Sequence, residues 1–175
     1  MVRSRGNVFP VGWLTQTTVA KVANTITIRV AEDRDVPGVL RLYSQPALDA
    51  GNVLSVGDAT SILGRFKSYP NYNLYVACSG QEIVGTFALL VMDNLGHLGK
   101  PSAIVEDVAV DPLHQRRGIG SRMMRFAMRK AAAFGCYKLT LSAAGHRANA
   151  HRFYESLGFE RHGYSFVVPL PGQDT

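Results

Sequence analysis

Val105-Glu106-Asp107-Val108-Ala109-Val110-Asp111-Pro112, followed after two residues by Gln115-Arg116-Arg117-Gly118-Ile119-Gly120, is the stretch from which the fold can be read. An apolar run from Ala103 to Val110 reads as a strand, and Asp111-Pro112 ends it. Leu113 to Gly120 is a basic, glycine-containing loop, and a long helix follows to about Phe134. On that helix Ile119, Met123, Phe126 and Ala127 share one face, while Arg122, Arg125 and Arg129 fall on another. A helix start leaves N–H groups unpaired and carries roughly half a positive charge, so it attracts phosphate. Gly118 and Gly120 are expected to let an anion approach the backbone, with Arg116 and Arg117 at the rim. The Walker pattern Gly-x-x-x-x-Gly-Lys-Ser/Thr is absent, and a dinucleotide fingerprint would need glycine where Met123 stands. The bland alternative is a plain connection carrying solvated arginines.

Working outward, Ile26 to Val30 reads as a strand. Asp33 or Asp35 can cap a helix bearing Val36, Val39, Leu40 and Tyr43. Ser55 to Lys67 reads as a second helix. Asn73 to Cys78 and Ile83 to Met92 read as strands joined by a Ser79-Gly80-Gln81-Glu82 turn. Beyond the long helix, Lys138 to Ser142 is another strand, Asn149 to Leu157 a helix closed by Gly158, and Phe159 to Val168 the last strands.

The 175 residues, 46% hydrophobic and 18% charged, suit one compact α/β or α+β domain rather than a disordered chain. Residues 25–170 form that domain, with a flexible extension over 1–24 and a tail over 171–175. The polar run Thr15-Gln16-Thr17-Thr18 leaves any leader's apolar segment too short, so export is not expected. Cys78 and Cys136 suggest neither a disulfide framework nor a metal cluster, and a cytoplasmic setting follows. The excess of 19 Lys+Arg over 13 Asp+Glu favours anionic partners without choosing among them.

Glu106 and Asp107 interrupt an apolar strand, where carboxylates are normally excluded. Strict alternation sends them to opposite faces, Glu106 with Val108 and Val110. Either can act as a base or position a water, or can pair with an arginine as structure. Tyr154 lies on the apolar face made by Ala150, Phe153, Tyr154 and Leu157; taken alone it reads as a core aromatic.

The opening stretch resembles motif A of the GCN5-related N-acetyltransferases, and His151-Arg152-Phe153-Tyr154-Glu155-Ser156-Leu157-Gly158-Phe159 resembles their motif B. The resemblance spans roughly residues 25 to 168. It implies a mixed, mostly antiparallel sheet of six to seven strands with about four helices and splayed central strands. It further implies acetyl-CoA as cosubstrate, with the backbone of Val108, Ala109 and Val110 along the pantetheine arm. Gln115, Arg116, Arg117, Gly118, Ile119, Gly120 and Ser121 would hold the pyrophosphate. By the same resemblance Tyr154 protonates the departing thiolate, and a small-molecule amine attacks directly, with no metal, nucleic acid or membrane partner. Relatives often dimerise, and Phe159 to Val168 can take part.

The sequence departs from the family at one point. The family's asparagine, seven residues before the tyrosine, is here Arg147, while Asn149 lies five before it. Asn149 can contact the coenzyme arm or cap the helix beginning at Ala150. Local likenesses to glucosamine 6-phosphate and aminoalkylphosphonate N-acetyltransferases suggest that Arg147, His146 or His151 holds an anionic group of the acceptor. The competing class is a basic module that binds acetyl-CoA or nucleic acid without catalysis, its phosphate stripe formed by Arg122, Arg125 and Arg129. No helix-turn-helix or zinc spacing supports it.

Overall fold

The computed structural model describes residues 25–46 and 48–168; the expected extension over 1–24 and the tail over 171–175 lie outside the described residues. Among the described residues five strands and four α-helices follow in the order β1 (Ile26–Val30), α1 (Val36–Tyr43), α2 (Val56–Phe66), β2 (Tyr72–Ser79), β3 (Glu82–Met92), β4 (Ser102–Val110), α3 (Ile119–Ala133), β5 (Leu139–Leu141) and α4 (Ala148–Glu155). The sheet runs β1-β2-β3-β4-β5. The first three pairings are antiparallel and β4–β5 is parallel.

Alternation along the strands divides the interior into two layers, one on each face of the sheet. Val84, Phe87, Leu89, Val105, Ile119, Met123, Met124 and Ala127 bury one face against α3. Phe126, on the same helix, sets its ring edge-on to Tyr75 with centroids 5.1 Å apart. The other face buries Val36, Val39, Leu42, Leu63, Leu74, Val76 and Ala109 under α1 and α2. Met123 and Met124 are fully buried, and each such side chain is worth roughly 1.5–3 kcal/mol of apolar transfer.

Helix starts follow local chemistry. Ser55 caps α2, its Oγ accepting the Asp58 N–H at 3.1 Å. Asp35 stands at the cap position of α1 but makes no side-chain cap there. Its carboxylate instead accepts the Glu32 N–H and the Arg29 guanidinium, both at 2.8 Å for the longer contacts. These bonds hold the Asp35 carboxyl below its ordinary pKa, the Arg29 hydrogen bond being the largest cause.

The expected strands over Phe159–Val168 do not form, and the described sheet has five strands rather than six or seven. The physical reason is the lack of a ladder. β5 is three residues long, and among the described residues nothing pairs with its outer edge. Tyr164, Phe166 and Val167 consequently stand more than nine-tenths exposed. No helix among the described residues is long and apolar enough to cross a membrane.

Candidate active site

β5 pairs with β4 only through Ala103, Ile104 and Val105. β5 ends at Leu141, so from Glu106 onward β4 is not paired by that strand on its β5 side. The Val110 carbonyl accepts the Gln115 side-chain amide at 3.2 Å, so Gln115 ties the loop back to the strand end. Asp111 is buried; it caps the turn after β4 through the Leu113 N–H at 2.8 Å. It also pairs with Arg41 of α1, whose other nitrogen donates to the Ile83 carbonyl at 2.7 Å. The Arg41 hydrogen bond is the main reason its carboxyl sits below the ordinary range.

The loop ends at Gly118, whose φ of 78° is left-handed, as the N-cap of α3. A left-handed residue followed by right-handed ones turns successive N–H groups into one concavity that suits an anion. The first intrahelical donor is the Arg122 N–H, which reaches the Gly118 carbonyl at 3.0 Å. The N–H groups of Ile119, Gly120 and Ser121 come before it and remain for a ligand. Ile119 itself is buried and anchors the turn. Gly120 meets a second constraint. A Cβ there would meet the Phe153 ring at 3.0 Å, so this glycine also makes room for α4.

The surrounding surface is cationic. From Pro112 to Tyr154 the chain has no Asp or Glu. Arg116, Arg117, Arg122, Arg125, Arg129 and Arg147 enter no ion pair among the described residues.

Glu106 and Asp107 do not alternate as expected. The β3–β4 register slips between Thr86 and Ala88, and Asp107 has a left-handed φ of 53°, which marks a bulge opposite Phe87. Glu106 pairs with Ala88 and Ala109 pairs with Thr86. Ala88 and Ala109 both belong to the layer under α1 and α2. Val108 and Val110 pack against the opposite layer. The extra residue therefore puts Glu106 on the face shared by Asp107 and Ala109, not with Val108 and Val110. Desolvation, then each carboxylate's acidic neighbour (Asp107 for Glu106, Asp49 for Asp107), raises both carboxyl pKa values.

Asp107 lines a cavity of about 160 Å³ between α1, α2 and the sheet, with Val36, Val39, Leu40, Tyr43, Ile62 and Phe66 among its walls. The Tyr43 hydroxyl is pushed above its ordinary pKa by burial and by Asp107, against a hydrogen bond to Thr86. Nothing in the residue order marks this cavity: Tyr43 reads as one more apolar position on α1. The Arg41–Asp111 pair bridges 70 residues, a separation no local spacing reveals.

On α4, Tyr154 packs between Phe153 and Phe159 with centroids at 5.1 and 5.7 Å. Its hydroxyl has no hydrogen-bond partner among the described residues. Burial raises its pKa more than Arg147 lowers it, so it stays protonated at neutral pH. Arg147, not Asn149, is the N-cap of α4, and it makes no side-chain cap. Asn149 accepts from Arg152. The His151 Nε2 meets the Ala143 carbonyl at 3.4 Å. Neither Arg147 nor His151 lines the cavity beside Asp107.

A mixed sheet whose short parallel pairing ends at Val105, with a glycine-capped, cation-rimmed helix start after β4, is the arrangement of an acyltransferase fold. The chain belongs to the acetyltransferase (GNAT) family, which matches residues 37–159. It is 30% identical over 101 residues to the aminoalkylphosphonate N-acetyltransferase of Salmonella typhimurium strain LT2, covering 58% of this chain and 65% of that relative's length. A crystal structure of a transcriptional regulator from Bacillus halodurans C-125 superposes with a TM-score of 0.78 at 28% identity, covering 83% of this chain and 100% of that one. Glucosamine-6-phosphate N-acetyltransferase from Arabidopsis thaliana shares the fold, with a TM-score of 0.73 at 21% identity over 83% of this chain and 98% of that one.

Proposed function

We propose that this protein transfers acetyl from acetyl-CoA to the primary amine of a small molecule by direct attack. The observation that carries this reading is the end of the β4–β5 pairing at Val105 beside the left-handed Gly118 start of α3. In this reading the diphosphate sits on the N–H groups of Arg116 to Ser121, with Arg116 and Arg117 at its rim and Gln115 steadying the loop. The pantetheine arm runs along the backbone of Val108, Ala109 and Val110, and Asn149 and Arg147 lie near it on α4.

The amine nitrogen must lose a proton before attack. An alkylammonium of pKa about 10 is neutral in only about one molecule in a thousand at pH 7, a cost of roughly 4 kcal/mol. Glu106 or Asp107 accepts that proton, directly or through a water. Their raised pKa values suit the task, since a base is most effective near the working pH. The nitrogen lone pair then forms the C–N bond to the thioester carbonyl, the nitrogen gives up its second proton to solvent, and the C–S bond breaks. The thiolate sulfur takes a proton from the Tyr154 hydroxyl, which regains one from solvent. Overall one ammonium and one thioester yield one amide, one thiol and one proton.

A second reading of the acceptor, favoured by the name of the Salmonella relative, is an amine bearing a phosphonate or phosphate, and that group would then sit near Arg147 and His151. The cytoplasm remains the expected setting and a homodimer the expected assembly. Release of free CoA thiol on mixing acetyl-CoA with a panel of amines tests the reaction. Thiol release with at least one amine supports it, and none with any amine overturns it.

A further inference from the structure

The cavity between α1 and α2 has walls of one chemical kind. Val36, Val39, Leu40, Ile62 and Phe66 surround it, and its charged member is the Asp107 carboxylate; no Lys, Arg or His lines it. Glu106 shares that face of the sheet, and Asp49 is close enough to act on Asp107. At the rim Leu54 is half exposed, at 50%, which gives the cavity an apolar lip. A cavity of about 150 Å³ lined by aliphatic side chains accepts one six-membered hydrocarbon ring, and this one measures about 160 Å³.

From these walls and charges we infer the acceptor class: a primary amine carried on an apolar body, without an anionic group, seated between α1 and α2 with its nitrogen toward Asp107 and Glu106. The inference rests on the acetyl-transfer reading and narrows it. A cationic ammonium meets the Asp107 carboxylate in the cavity wall, with Glu106 on the same face of the sheet, and its ring or alkyl chain displaces water from apolar walls. A phosphate or phosphonate in the same place would face those carboxylates with no lining cation to offset the repulsion. Arg147 and His151, at the start of α4, do not line this cavity.

Titration of CoA into the protein comes first, since an absence of binding would overturn the acetyl-transfer reading itself. With binding established, thiol release is compared for 2-phenylethylamine and hexylamine against 2-aminoethylphosphonate and glucosamine 6-phosphate. The expected result is a kcat/KM for an apolar amine about tenfold or more above that of either phosphorus-bearing amine, within the range by which apolar pockets discriminate. Equal or higher kcat/KM for a phosphorus-bearing amine, or turnover of none of the four, overturns the inference while leaving CoA binding intact. Ala59→Phe, which fills the cavity, and Leu54→Ser, which removes the lip, should each raise KM for 2-phenylethylamine severalfold with CoA affinity unchanged. Leu54→Ser, at a half-exposed site, serves where Ala59→Phe fails to fold, and an unchanged KM in a folded variant counts against the inference.

Discussion

Gly120 lies against the ring of Phe153: a Cβ at position 120 would stand 3.0 Å from the Phe153 Cζ. The first turn of α3, the proposed seat of the diphosphate, is thereby keyed to the helix that carries Tyr154. Gly120→Ala should push the two helices apart. Overpacking costs roughly 1–3 kcal/mol, offset by up to about 1 kcal/mol of helix propensity, so a net loss near 1 kcal/mol is expected in urea unfolding. Because Tyr154 adjoins Phe153, kcat should fall with it; a variant with unchanged stability and kcat would show that the contact relaxes freely.

Gly118 is needed for its backbone, not for space. Its φ is 78° and nothing lies within 4 Å of a Cβ built there. Gly118→Ala should cost about 1–2 kcal/mol through the left-handed penalty, whereas Gly118→Asn should cost less because asparagine visits that region more readily. Thermal unfolding of both variants checks the order, and CoA titration should rank them the same way.

Tyr154→Phe removes the hydroxyl proposed as proton donor and keeps the ring between Phe153 and Phe159. General acid catalysis is typically worth about 10²–10⁴ in rate, so kcat should drop at least about a hundredfold with KM for acetyl-CoA nearly unchanged. A drop below about threefold would assign protonation of the thiolate to water.

Asp107 has its pKa raised in the folded protein, first by desolvation and then by Asp49. A raised carboxyl pKa means that the folded state holds the proton more tightly than the unfolded chain. Stability therefore falls as pH rises from the ordinary carboxylate value through the raised one. Asp107→Asn should raise Tm at pH 7, with the gain fading below about pH 4, where the unfolded aspartate is itself protonated. The acid limb of kcat/KM should also lie above the ordinary carboxylate value in the wild type. Equal Tm gains at pH 7 and pH 3 would contradict the assignment.

Asp111 behaves in the opposite sense. Its pKa is lowered chiefly by the Arg41 hydrogen bond, so the stability it contributes is present above the ordinary carboxylate value and is lost as pH falls through the lowered one. Arg41→Met leaves a buried carboxylate with only the Leu113 N–H among its strong partners. Breaking a fully buried pair costs about 3–5 kcal/mol; with the Arg41 side chain half exposed, about 2 kcal/mol is expected in urea unfolding at pH 7. The loss should shrink on acidification.

Much of this architecture was legible in residue order because it is written in local chemistry. The apolar periods of Ile26–Val30, Ala103–Val110 and Ile119–Ala133 define elements that bury one face, and Ser55 and Gly118 mark where two helices begin. What escaped depends on distant partners. The bulge at Asp107 arises from how β4 registers on β3, so strict alternation misassigned Glu106. The strands expected over Phe159–Val168 have suitable β-formers, but β5 offers too short a ladder to pair them. The acceptor cavity needs α1, α2 and β4 together, and none of the three announces it alone.

Amide hydrogen exchange with and without CoA tests the coenzyme site most directly. A diphosphate seated on the start of α3 and a pantetheine arm along the open edge of β4 predict slowed exchange at residues 116–121 and at Val108 and Val110, with α1 and α2 unaffected. Unchanged exchange at both segments under saturating CoA, or protection confined elsewhere, would contradict it.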